Sequence, residues 1–422
     1  MADVQPLEAL HYDQAKAGPL QQLVAPPYDV IDPEQRAELA ARSPYNVVRV
    51  DLPEGDDPYA EAARLFEQWQ ADDAVIPDGP AFWALVQDYT GPDGRTLTRR
   101  GIFARVRVTE YGAGKIRPHE RTHPGPREDR LRLTRATNAN LSPIFSLYDD
   151  PGRRAWKALE AHTQAEPFGE TTDDDGTVNR LWRIDDPASL EAVREAMAGS
   201  ELLIADGHHR YETARVYADE IGGEGPHRYV LMCLVALQDE GLTVFPTHRL
   251  LTNVKDSDMQ VRLGSRLREL FDIEPVDQSE LRPPDGTGPL QMGYIDAHHK
   301  SAYRLTLKDQ AIADETLKEF PKPYRHLDTA ILEALIIKGP AGLTDDDIDH
   351  KHGLDYSRTD EEALEMVLDG RADCAFFLRS SPVQQVRDIA AAGVNMPPKS
   401  TFFFPKVPTG LVFNPLGVHS KS

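Results

Sequence analysis

The stretch that most restricts the fold is residues 201–217, Glu-Leu-Leu-Ile-Ala-Asp-Gly-His-His-Arg-Tyr-Glu-Thr-Ala-Arg-Val-Tyr. Leu202 to Ala205 is an apolar run with the length of a buried strand. Asp206-Gly207 marks a sharp turn, and a helix-forming run starts at about Tyr211. Strand, glycine turn and helix start in that order make an anion site. The first backbone N–H groups of a helix lack internal partners and carry its positive dipole end. His208, His209 and Arg210 add side-chain donors at the same point, and Arg210 suits two oxygens of a phosphate or carboxylate. Asp206 is placed to orient a histidine, hold a metal, accept a proton from a nucleophile, or simply cap the helix. So many polar groups in a semi-buried turn are costly without a ligand. The segment reads as a phosphate-handling site.

The element order around it is mixed α/β (α+β), with mixed sheets and flanking helices. An amphipathic helix is expected near Tyr59–Trp69, and helices at Arg153–His162, Ser189–Met197 and Thr329–Ile337. Phe82–Tyr89 and Ile102–Val108 flank a turn at Gly91–Gly94 and form a hairpin; Tyr229–Leu237 and Leu242–Phe245 read as a second strand pair. Strands follow at Gln291–Ile295, Ala302–Leu307 and Cys374–Leu378. Prolines, glycines and acids without apolar periodicity make Glu280–Gly288 the expected linker. It separates an N-terminal region, 1–280, which holds the phosphate turn, from a C-terminal α+β region, 281–422, which contributes a Lys/Ser/Thr loop to the same cleft.

Composition narrows the function classes. A net charge of −22 argues against nonspecific nucleic-acid binding, which depends on a basic surface. The two cysteines, Cys233 and Cys374, lie in apolar runs and read as buried thiols of a reducing compartment. With neither a signal-peptide pattern nor a run approaching a membrane span, the expectation is a cytoplasmic protein without a membrane partner.

Other segments carry chemistry. In Val24-Ala-Pro-Pro-Tyr-Asp-Val-Ile31 a rigid proline pair presents Tyr28 and Asp29 in a set direction. His119-Glu120-Arg121-Thr122-His123 matches H-E-x-x-H, which needs both histidines on one face of a sustained helix. Pro118 and Pro124-Gly125-Pro126 leave barely one turn, so a zinc protease is not the expected reading and no metal-ligating set is assigned. The segment gathers Lys115, Arg117, His119, Arg121, His123, Arg127, Arg130 and Arg132 into a basic patch suited to a nucleotide. Pro246-Thr-His-Arg249 adds a His-Arg pair. Asn395-Met-Pro-Pro-Lys-Ser-Thr-Phe-Phe-Phe-Pro-Lys406 sets Lys399, Ser400, Thr401 and Lys406 among prolines and aromatics, a composition fit for a rigid ligand-facing loop.

In this order, Ala-Pro-Pro-Tyr-Asp-Val-Ile, His-Glu-x-Thr before Asp129-Arg130, Ile-Ala-Asp-Gly-His-His-Arg-Tyr-Glu-Thr-Ala, Pro-Thr-His-Arg and Met-Pro-Pro-Lys-Ser-Thr-Phe-Phe-Phe-Pro-Lys form a set of five motifs. The set resembles the bacterial and archaeal family catalogued as domain of unknown function 1015, over nearly the whole chain. Asp206-Gly207-His208-His209-Arg210, with Ala214 a turn later, is similar to the phosphate-binding motif of the ParB, sulfiredoxin and free-serine-kinase superfamily. That resemblance implies a phosphate cradle at 206–210 and an upstream acid that activates a serine hydroxyl; Asp29 and Glu120 are the candidates for it.

The expected function is nucleotide-dependent phosphotransfer to or from a small hydroxylated metabolite, free serine and phosphoserine foremost, with ATP or ADP and Mg²⁺ as cofactors. A phosphatase using the same cradle, or a nucleotide-binding switch protein, are the alternatives. Asp206, His208 and His209, with Asp29 and Glu120, are the catalytic candidates. Gly207, Arg210, His119, Arg130, Arg249, Lys399, Ser400, Thr401 and Lys406 are the candidates for holding the nucleotide, and all are expected to converge on one cleft.

Overall fold

The structure is a computed structural model that describes residues 2–417 apart from Asp93, Arg121, His123, Lys255 and Thr287. It divides into two compact units, Met1–Leu242 with Pro405–Ser422, and Thr243–Phe404. The first is therefore discontinuous in sequence.

Among the described residues the first unit is built on a ten-stranded mixed sheet. Its central strand, Tyr229–Ala236, is buried along almost its whole length. Such a strand reads as an unbroken apolar run because both of its faces are covered. It pairs antiparallel with Thr96–Arg107 and parallel with Ile144–Tyr148. Val75–Thr90 pairs antiparallel with Thr96–Arg107, which is the expected hairpin. Leu202–Asp206 lies near one end of the sheet, between Ile144–Tyr148 and Ile116–Arg117. Helices cover it, each begun by local chemistry. Pro58–Ala71 and Pro187–Met197 start with a proline in the first turn behind an aspartate, Asp57 or Asp186, that accepts a backbone N–H. Phe82, Ile102, Ile144, Trp156, Ile204, Tyr211 and Met232 belong to one apolar core.

Among its described residues the second unit carries a six-stranded antiparallel sheet in the order Phe271–Pro275, Ala302–Leu307, Gln291–Asp296, Cys374–Phe377, His248–Leu251, Leu354–Ser357. The expected pairing of Tyr229–Leu237 with Leu242–Phe245 is not formed: Thr243–Phe245 pairs with Phe402–Phe404. The Tyr229–Ala236 strand has its two edges occupied by other partners, so it has no edge left for a hairpin. Glu280–Gly288, expected as a linker, lies inside this unit. Leu281 is buried and its carbonyl occupies the space a Cβ on Gly293 would need, while Asp285 accepts the Ser380 N–H at 2.8 Å. The helix expected at Thr329–Ile337 is α-helical over Asp328–Leu332 and widens into a π-turn over Glu333–Ile337. Cys233 and Cys374 are buried free thiols. No helix among the described residues is long and apolar enough to cross a membrane.

Candidate functional site

The Leu202–Asp206 strand follows its partner residue by residue up to Ile204 opposite Ser146. Asp206 is then opposite Phe145, so Ala205 is an extra residue in a bulge. A bulge of this kind re-aims the side chain that follows it. Gly207 comes next at φ 96°, in the left-handed region, and the His208–Ile221 helix starts directly behind it with no side chain among the described residues capping its first turn. The helix thus begins three residues before the sequence pattern places it.

Two cations converge on Asp206. Arg210 Nη2 lies 2.5 Å from Oδ2, and Lys406 Nζ donates to Oδ1. Burial pushes the Asp206 carboxyl up, but Lys406 and Arg210 outweigh it and hold the group well below the usual carboxylate range. With its two oxygens on these cations, Asp206 does not cap the helix among the described residues. Arg210 Nη1 also donates to Ser142 Oγ at 2.9 Å and to the Pro143 carbonyl. Its guanidinium lies over the glycine turn, where a Cβ on Gly207 would approach Nε to 3.0 Å. Gly207→Ala is therefore expected to cost about 1–3 kcal/mol, from the left-handed backbone and the displaced guanidinium together. Urea denaturation with an unshifted midpoint would contradict that strain.

Behind the turn sit two buried histidines. His119 Nδ1 donates to the Ile204 carbonyl at 2.8 Å, and its backbone N–H points at His208 Nε2 at 3.4 Å. The rings meet edge to face, 4.7 Å between centroids. Glu120 Oε2 stands 3.9 Å from His208 Nδ1 and is partly exposed. Burial holds both imidazoles below the ordinary histidine value, His208 further reduced by the adjacent His119. Both are therefore neutral in the folded state near pH 7. In the unfolded chain they take up protons near pH ~6.5. As pH falls below that point the unfolded state binds more protons, so stability declines until the lower folded values are reached. Asp206 adds a further loss only below its ordinary value of 3.8. Urea midpoints are expected to fall between about pH 7.5 and pH 5.5; a flat profile there would show that the pair takes up protons in the fold as readily as in the unfolded chain, and a rising one that it is charged in the fold.

A small cleft of about 40 Å³ adjoins Arg210, lined among others by Tyr28, Asp51, Arg130, Ser142 and Thr213. Arg130 is buried, with Nη1 2.8 Å from the Asp51 carbonyl and 3.2 Å from Asp51 Oδ1, Nε 2.8 Å from Asp129, and its guanidinium 4.3 Å over the Tyr28 ring. Burial pushes the Asp51 carboxyl up against the pull of Arg130 and Arg210, and pushes the Tyr28 hydroxyl up to about 12.

The structure thus groups Tyr28, Arg130, Asp206, Gly207, His208, Arg210, His119, Glu120 and Lys406 within the first unit, with His209 half-buried at the helix start. Asp29 is exposed beside Tyr28. His119 and Glu120 are not helical; Arg121 and His123 lie outside the described residues. The basic patch is divided among ion pairs, Arg117 with Glu201 at 3.0 Å and Arg130 with Asp51 and Asp129. Arg249, Lys399, Ser400 and Thr401 belong to the second unit. There Arg249 donates to the Thr247 and Pro398 carbonyls, Ser400 is buried against Thr329 at 2.9 Å, Lys399 is exposed at φ 56°, and Thr401 is half-buried. Asp51 and Ser142 were missed by the sequence reading. A lone acid in Val47-Val-Arg-Val-Asp51 was the available signal for the first.

Among solved structures the chain is similar to a conserved hypothetical protein from Pyrococcus furiosus, at 14% identity and a TM-score of 0.36, over 74% of this chain and 95% of that one. It is also similar to a free serine kinase in complex with AMP, at 13% identity and a TM-score of 0.36, over 74% and 92%. A third is SbnI with C-terminal truncation from Staphylococcus aureus, at 10% identity and a TM-score of 0.34, over 74% and 81%. No curated protein matches the chain. The model of the family described as "Protein of unknown function (DUF1015)" matches residues 4–330, well over half of the chain, and the chain belongs to that family.

Proposed function

We propose that this protein transfers a phosphoryl group between a nucleotide, ATP or ADP, and a small hydroxylated metabolite, with free serine and phosphoserine as the pair favoured by the Asp-Gly-His-His-Arg motif. The observation that carries the reading is the convergence of Lys406 and Arg210 on one carboxylate at the uncapped start of the 208–221 helix. Phosphoryl transfer depends on charge neutralisation and alignment more than on covalent protein chemistry. Backbone N–H groups at 207–209 and the Lys406 ammonium supply both. The cleft beside Arg210 is lined by polar groups, among them Ser142, Thr213 and Arg130, of the kind that orient a small polar substrate.

Among the described residues no three His, Cys, Asp or Glu side chains group as a metal site. Mg²⁺ would arrive with the nucleotide, where it would supply charge neutralisation. Glu120, partly exposed beside His208, takes the role of proton acceptor from the substrate hydroxyl, since Asp206 is committed to its cations.

Calorimetry with ADP tests the cradle. Lys406→Met is expected to weaken binding by about 1.5–3 kcal/mol, the worth of a hydrogen bond to a charged group. Equal affinity in wild type and variant would remove the assignment. Incubation of ATP and Mg²⁺ with and without L-serine separates the classes of reaction. Nucleotide hydrolysis indifferent to serine would make the protein a hydrolase, and binding without turnover in either direction would make it a switch.

A further inference from the structure

Arg99, on the Thr96–Arg107 strand, is fully buried and forms no ion pair among the described residues. Its Nε donates to Gln87 Oε1 at 3.0 Å and Nη2 donates to the same oxygen, while Nη1 has no partner. The guanidinium is stacked 4.4 Å over the Phe145 ring. Burial lowers its ionisation to about 10, still well above neutral, so the group carries its charge. A cation enclosed without a counter-charge is costly, and buried arginines are normally paired. Packing alone does not account for it, since an apolar side chain fills such a space at less cost.

Gln87 shows where the arginine acts. With its oxygen taken by Arg99, its amide nitrogen donates to Asn179 Oδ1 at 2.7 Å and to the backbone carbonyl of Lys406 at 3.0 Å. Turning the amide over would set donors against Arg99 and an oxygen against the Lys406 carbonyl, so Arg99 fixes the orientation of Gln87. Lys406 is then held at its carbonyl by Gln87 and at its ammonium by Asp206. Asp206 in turn binds Arg210. A continuous polar string runs from the interior of the sheet to the start of the 208–221 helix.

We propose that Arg99 and Gln87 are positioning residues of the phosphate site, fixing the backbone of Lys406 so that its ammonium stays on Asp206, with the Arg99 charge adding to the positive field there. The proposal rests on the reading of the 206–210 turn as a phosphate cradle. The two fail in different ways.

Inorganic phosphate binding to the full chain is measured by calorimetry, with circular dichroism and urea denaturation on each variant. Gln87→Glu keeps an oxygen for Arg99 and gives it a counter-charge, but has no N–H for the Lys406 carbonyl. A purely structural role predicts that this variant is as stable as wild type and binds phosphate as well. Positioning predicts that it folds yet binds about tenfold more weakly or worse, as does Gln87→Leu. It also predicts that either change adds little once Lys406→Met is present, because they act through that lysine. Wild-type affinity in a folded Gln87→Glu, independent addition with Lys406→Met, or loss of the fold in both Gln87 variants would overturn it. Absence of phosphate binding in wild type itself would remove the cradle, and the positioning role with it.

Discussion

Asp206→Asn is expected to destabilise the first unit by about 3–5 kcal/mol, the cost of removing one member of a buried ion pair. The substitution is nearly isosteric, but the neutral amide leaves Lys406 and Arg210 converging on a site without negative charge. Its N–H₂ also sets a donor against one of two donors. The sequence alone favours a milder outcome, in which asparagine preserves the start of the helix as a capping side chain. Gly207 occupies the cap position, however, and no side chain among the described residues caps the helix. Urea denaturation distinguishes the two: a loss under about 1 kcal/mol is what a solvent-screened pair would give, and would show the triad to be open to water.

Glu120→Gln is expected to lower phosphotransfer at least about a hundredfold, the lower end for removal of a general base. ADP affinity should hold, because Glu120 is not among the cations that define the cradle, and stability should change by no more than about 0.5 kcal/mol. Full activity would move the proton acceptor to another carboxylate. Loss of ADP binding together with turnover would show Glu120 to be part of the nucleotide site.

The strand–turn–helix at 202–221 was legible because three independent signals coincide within 20 residues: an apolar run, a glycine needing a left-handed backbone, and donors clustered behind it. The hairpin of Val75–Thr90 with Thr96–Arg107 was legible for the same local reason. What the pattern does not encode is which distant strand occupies a given edge. Tyr229–Ala236 therefore looked like half of a hairpin, although its neighbours are Thr96–Arg107 and Ile144–Tyr148. Nor does it encode neutralisation at a distance. Arg117 and Arg130 read as parts of a basic patch because Glu201, 84 residues from Arg117, and Asp51, 79 residues from Arg130, are visible only in three dimensions. The partnership of Asp206 with Lys406 is hidden for that reason as well. Lys406 was found from the composition of its own loop and Asp206 from its own turn, with nothing to join them.

That partnership gives the site a place in time as well as in space. Lys406 leaves the ribosome 200 residues after Asp206, a delay of roughly 10–40 s at ordinary rates of synthesis. All of Thr243–Phe404 emerges in the interval. Through that interval the nascent turn has Arg210 but not its second cation, and the short pairing of Asn414–Pro415 with Ala139–Asn140 is likewise unmade. A fragment ending at residue 330, where the family match stops, would stay in that state indefinitely. Expression trials that trim the chain to its most recognisable region would discard the lysine that pairs with Asp206.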